Sequence, residues 1–93
     1  MKWLEIIKLR VAGDGEGVRA VLLQSIAEVN QQKGSVRIRA YRHAGLESDL
    51  SLHLHWQSDR SDEPGSTLGL HLVRSLKEFG LIDHSLWIEE EQK

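Results

Sequence analysis

Asp49-Leu50-Ser51-Leu52-His53-Leu54-His55-Trp56 alternates polar and apolar residues without a break. On a strand this pattern sends Leu50, Leu52, Leu54 and Trp56 to one face and Ser51, His53 and His55 to the other. The first face suits a core. The second carries two imidazoles that point the same way, on a surface that must meet water, a partner or a ligand.

Working outward, Ser35 to His43 reads as a second strand, with Val36, Ile38 and Ala40 alternating with Arg37, Arg39, Tyr41 and His43. The short loop Ala44-Gly45-Leu46-Glu47-Ser48 joins the two as a β-hairpin. With that loop, Tyr41 faces Ser51, Arg39 faces His53 and Arg37 faces His55 across the ladder. Trp3 to Val11 is a further strand, with Ile7, Leu9 and Val11 on one side and Leu4, Ile6, Lys8 and Arg10 on the other. After Gly13-Asp14-Gly15-Glu16-Gly17, the residues Val18, Val21, Leu22, Ser25, Ile26 and Val29 recur at helical spacing, and Gly34 is a natural stop. The polar segment from Ser58 to Gly65 offers N-cap candidates for a second helix carrying Leu68, Leu72, Leu76 and Phe79 on one stripe. Gly69 within that helix marks close backbone packing, and Gly80 ends it. Leu86 and Ile88 then alternate with Ser85, Trp87 and Glu89 in a last strand.

The order β-α-β-β-α-β predicts an α+β, ferredoxin-like domain over residues 1–89, followed by a solvated tail at 90–93. Its four-stranded antiparallel sheet carries both helices on one face, and the first and third strands lie at the centre. The uncovered face then holds Leu4, Ile6, Lys8, Ser51, His53 and His55 in the middle. Arg37, Arg39, Tyr41 and His43 lie along one edge, and Ser85, Trp87 and Glu89 along the other. That surface is too apolar for a plain solvated face and too polar for a dry core. A homodimer enclosing a partly polar cavity accounts for both properties.

Composition narrows the function. The 93 residues make one small domain, whose marginal core a dimer interface would help. A net charge of −2 gives no bulk attraction to nucleic acid or to anionic membranes. The chain has no cysteine, which excludes disulfides and thiolate chemistry and fits a cytoplasmic location. Met1 leads straight into a strand pattern with no signal-peptide core, and no apolar run is long enough to span a bilayer. A membrane role and nucleic-acid binding are therefore not expected. The open face has one Tyr and one Trp where RNA-binding sheets stack several aromatics.

Leu54-His55-Trp56-Gln57-Ser58 closing the third strand, followed by a capped helix containing His71, resembles the dimeric α+β barrel superfamily. Within it the chain is most similar to antibiotic-biosynthesis-monooxygenase-type domains, which carry a Trp-x-Ser signature here and a His in the following helix. The resemblance implies two sheets packed face to face across a dimer. It also implies a cavity between sheet and helices for aromatic or polyketide-like substrates, or for haem in one branch. The haem-degrading branch uses an Asn on the first strand. None occurs between Trp3 and Val11, and the Trp56-to-His71 spacing is longer than that branch has.

Several residues bear on chemistry. His53 and His55 form an i, i+2 pair that could start a metal site, but a third ligand such as His43 or Glu89 would have to come close. Arg37 and Arg39 stand opposite and disfavour a cation, so no metal and no cofactor are expected. The same four side chains offer donors to a carboxylate or phosphate, against the alternative of solvated arginines guarding an edge strand. The glycine-rich turn at 13–17 lacks the Rossmann spacing, and its acids would repel phosphate. Asp83-His84-Ser85 has triad residue types, yet strand neighbours point to opposite faces and cannot converge. Trp56 belongs to the core, Trp87 to an interface or ligand contact, and His71 lies beside its helix's apolar stripe. The catalytic candidates are His53, His55 and Tyr41. The ligand-binding set is Arg37, Arg39, Tyr41, His53, His55, His71 and Trp87. These readings favour a small-ligand-binding dimer, monooxygenase-like if catalytic, over a non-catalytic protein-interaction module using the same face.

Overall fold

A computed structural model describes residues 1–13, 15–31, 34, 36–58 and 65–90, without the side chain of Glu16. The elements are β1 (Lys2–Val11), α1 (Gly15–Gln31), β2 (Val36–Arg42), β3 (Asp49–Gln57), α2 (Thr67–Leu76) and β4 (Gly80–Ile88), with a 3₁₀ turn at Lys77–Phe79 before β4. The sheet is antiparallel with strand order β2-β3-β1-β4, which puts β1 and β3 at its centre as expected. This is the α+β, ferredoxin-like arrangement. No helix among the described residues is long and apolar enough to cross a membrane.

Alternation decides the two faces. Ile7, Leu9 and Val11 of β1 are buried with Ile38, Leu50, Leu52 and Leu54, and Val18, Leu22 and Leu76 pack on them from the helices. The hairpin register is the expected one, with Tyr41 opposite Ser51, Arg39 opposite His53 and Arg37 opposite His55. Asn30 near the end of α1 fastens the helix to the edge strand. Its side-chain amide donates to the Ile38 carbonyl at 2.9 Å and accepts from the Ile38 N–H at 3.0 Å. One side chain thereby satisfies two polar groups on the outer side of β2.

Some expectations need correction. Val21 is exposed rather than part of the buried stripe, because Val18, Leu22, Ile26 and Val29 already fill the inward arc of α1. Ala40 is exposed although it lies on the helix side of β2, since an edge strand is covered only in part. Ile88 is likewise exposed at the far end of β4. β4 starts earlier than the alternation from Ser85 suggested. Gly80 opens the strand with its Cα pressed on the Arg10 carbonyl, where a Cβ would collide with backbone. Ile82 and His84 are therefore strand residues. The N-cap of α2 is Ser66, one residue beyond the Ser58–Gly65 segment that offered candidates, and its hydroxyl accepts from the Gly69 N–H at 2.9 Å. Asp14, the 59–64 segment, Gln32 and Lys33 fall outside the described residues, and the expected stop at Gly34 depends on the last two.

Candidate functional site

The open face is a grid set by the strand register. Arg37, His55, Leu4 and Trp87 form one row across the sheet. Arg39, His53, Ile6 and Ser85 form the next, and Tyr41, Ser51, Lys8 and Asp83 the third. Arg10 stands between Asp49 and Leu81 in the last row. Leu4 and Ile6 are half-buried at the centre, while Tyr41, Leu81 and Trp87 are exposed around them. An apolar floor thus carries basic and aromatic groups.

Within the grid the Tyr41 and His53 rings lie 4.5 Å apart, and the His53 and His55 rings 6.3 Å apart. Burial pushes the His53 imidazole below its ordinary pKa, and the nearby His55 and Lys8 charges push it further the same way. A neutral imidazole with a free lone pair is a proton acceptor. The Ser51 hydroxyl is shut away from water and has no hydrogen-bond partner among the described residues. At the rim Arg10 forms a forked bridge to Asp49 at 3.0 and 3.1 Å, which holds the Asp49 carboxyl below the usual carboxylate range. Open grooves flank the grid at both ends. One of about 750 Å³ is lined by Leu4, Arg37, His55 and Trp87 and curls round to Trp3 and Trp56. Another of about 460 Å³ is lined by Lys8, Tyr41, Ser51, Leu81 and Asp83.

The structure therefore brings Arg37, Arg39, Tyr41, His53, His55 and Trp87 onto one surface. It does not bring His71 there. His71 is exposed on α2, which lies on the other side of the sheet. His43 is also diverted, since its Nδ1 accepts from the Gly45 and Leu46 N–H groups and shapes the hairpin loop. Among the described residues no three His, Cys, Asp or Glu side chains gather as metal ligands.

A second constellation lies on the helix side, and sequence reasoning missed it. Glu5 is fully buried at 0% exposure, on the core face of β1 between Trp3 and Ile7. Its Oε1 accepts from the Trp56 indole N–H at 2.8 Å. Its Oε2 accepts from the Ser66 backbone N–H at 3.3 Å and lies 2.8 Å from His84 Nε2. Two N–H donors thus hold the carboxyl group, and the hydrogen bond with His84 completes its set of partners. Room for the group comes from two glycines. A Cβ on Gly69 would overlap Oε2, and one on Gly65 would lie 2.5 Å from His84 Cε1. Trp3 stacks on Trp56 with ring centres 5.3 Å apart and closes the corner. The signal available was the alternation of β1, which puts Glu5 on the same side as Ile7. Asp83 and Ser85 do point away from His84, as strand geometry demands.

No family model and no curated protein matches the chain. The fold has a structural counterpart, in that the chain is similar to the solved structure of Rv0793 from Mycobacterium tuberculosis. The two share a TM-score of 0.70 over 99% of this chain and 98% of that one, at 14% identity. At that identity the likeness speaks for the ferredoxin-like α+β fold alone.

Proposed function

We propose that this protein is a cytoplasmic homodimer that closes its open sheet face with a second copy and holds a small organic ligand in the space between. The observation that carries this reading is the composition of the grid. Apolar Leu4, Ile6 and Trp87 surround a neutral His53, a Tyr41 ring and a buried Ser51 hydroxyl that lacks a partner. Such a buried hydroxyl costs about 1–3 kcal/mol when unsatisfied, and a facing donor or ligand would remove that penalty.

The grid also suits self-association. With a two-fold axis running along the strands, β2 lies over the partner's β4 and each row meets itself reversed. Arg37 then covers the partner's Trp87, a cation–π arrangement. Tyr41 covers the partner's Asp83, and Ser51 covers the partner's Lys8. Basic β2 thus meets acidic and aromatic β4, and a self-complementary patch is what a two-fold interface needs.

The chemistry follows the resemblance to cofactor-independent monooxygenase-type domains. His53 takes a proton from the ligand, and Arg39, directly opposite it across the ladder, steadies the resulting enolate or a carboxylate. Native mass spectrometry of freshly purified protein tests this. A dimer carrying a small organic molecule, lost in the His53→Ala, His55→Ala double variant, is the expected result. A bare monomer, or a ligand retained by the double variant, removes the open face from the function.

A further inference from the structure

We propose that the ligand of the open face is a flat organic acid, its carboxylate held by Arg37 and Arg39 and its ring lying over Leu4 towards Trp87. The assignment rests on the open-face reading and names the class of molecule that fills the site.

The face carries positive charge that its own residues do not answer. Arg10 is bridged to Asp49 at one end, and Lys2 adjoins Glu89 at the other. Between them lie Lys8, Arg37 and Arg39, with Asp83 as the one carboxylate in the same three rows. None of these three cations makes a side-chain hydrogen bond or ion pair among the described residues. His53 stands in their midst, pushed towards its neutral form by burial and then by the His55 and Lys8 charges.

Closing the face with a second copy sharpens the imbalance. In the two-fold arrangement Arg37 meets the partner's Trp87 and Asp83 meets the partner's Tyr41. Arg39 meets the partner's Ser85, so in that alignment neither copy brings it a carboxylate. A guanidinium taken out of water needs an anion whose oxygens accept its N–H groups. A solvated arginine guarding an edge strand would need none. Here, however, the edge strand β2 lies over the partner's β4.

Position and shape narrow the anion. Arg37 and Arg39 are two residues apart on one face of β2, roughly 7 Å along the strand, so their long side chains can converge on one carboxylate. Arg37 opens onto the groove of about 750 Å³ that Leu4, His55 and Trp87 also line. Its row crosses three strand spacings, roughly 14 Å, which accommodates a bicyclic ring with its carboxylate. The Arg37 guanidinium uses its N–H edge for the acid and keeps its flat side for the partner's Trp87. The apolar floor at Leu4 and Ile6 favours a ring over a sugar.

The probes are 2-naphthoate and its uncharged amide, 2-naphthamide, which are closely similar in shape and differ in charge. Calorimetric titration of the wild-type protein should show the acid binding at least about tenfold more tightly than the amide. That preference should vanish in Arg37→Gln, Arg39→Gln. It should persist in Arg74→Gln, which removes the same charge from α2 on the other side of the sheet. Arg37 and Arg39 are exposed and unbonded, so the double variant keeps the fold. Undetectable binding of the acid, equal binding of both probes, or a preference that the double variant retains overturns the proposal. A preference lost equally in Arg74→Gln overturns it too, as bulk attraction. Sedimentation of the ligand-free protein supplies a sign. Arg39→Gln should tighten the dimer about threefold or more, because it removes the unanswered charge. An unchanged or looser dimer overturns the proposal. In each of these cases a wild-type dimer leaves the open-face reading standing. A wild-type protein that stays a single chain even with saturating 2-naphthoate overturns both.

Discussion

The two faces of one sheet use polar residues in opposite ways. Beneath α2 a single carboxylate is buried completely, and hydrogen-bonding groups from β3, β4 and the helix start converge on it. On the open side eight polar or charged residues besides Tyr41 spread over three rows, where Trp87 Nε1 donates to Ser85 Oγ at 2.9 Å. The Glu5 carboxylate is fully partnered. The open side is unfinished, with a dry hydroxyl at Ser51 and exposed aromatics at Tyr41 and Trp87. A satisfied network resists change in any one member, whereas an unsatisfied surface takes a partner or ligand without breaking anything first.

The sharpest way to break this contrast is to remove the carboxylate. Glu5→Ala strips Trp56, Ser66 and His84 of their shared partner and should lower stability by about 3–5 kcal/mol, read by urea unfolding. A loss of under about 1 kcal/mol would mean the corner relaxes or admits water, and the contrast with the open face would disappear. Gly69→Ala presses on the same group from the helix, because its methyl would overlap Oε2. It should cost about 1–3 kcal/mol through overpacking, with Glu5→Ala, Gly69→Ala less than additive. Asn30→Ala sharpens the comparison within the helix side. It uncouples α1 from β2 and should cost about 1–2 kcal/mol, a smaller loss than at Glu5 because only neutral hydrogen bonds are removed.

How far the sequence foretold these regions differs between them, for a physical reason. The open face follows from period-two alternation and one hairpin loop, so Arg37, Arg39, Tyr41, His53 and His55 could be paired before any coordinates. The Glu5 corner joins residues 51, 61 and 79 positions apart along the chain. Alternation shows that Glu5 faces inward, but the donors that make it tolerable belong to elements whose placement is tertiary. His84 was hidden further because β4 begins at Gly80, where the close approach to Arg10 lets the strand follow the 3₁₀ turn with no loop. His71 failed for the complementary reason. Its spacing from Leu68 put it near the apolar stripe, yet the helix turns that position to solvent.

The smallest expected effect is a titration. The folded His53 imidazole should titrate below the ordinary histidine value of about 6.5. Because the unfolded chain then binds more protons, stability falls as pH drops from the ordinary value through the lowered one and is unaffected above that window. Proton NMR of the ring should show the shift. His55→Ala should bring it partway back, since burial, the larger cause, remains. A His53 that titrates at or above the ordinary value would remove it as the neutral base of the open face.

The measurement that bears most directly on the account is sedimentation velocity at micromolar concentration, for the wild type and for Trp87→Asp. The expected result is a wild-type particle of twice the 10.6 kDa chain mass and a folded single chain for the variant. A wild-type protein that sediments as one chain throughout, or a Trp87→Asp variant that remains fully paired, would contradict it.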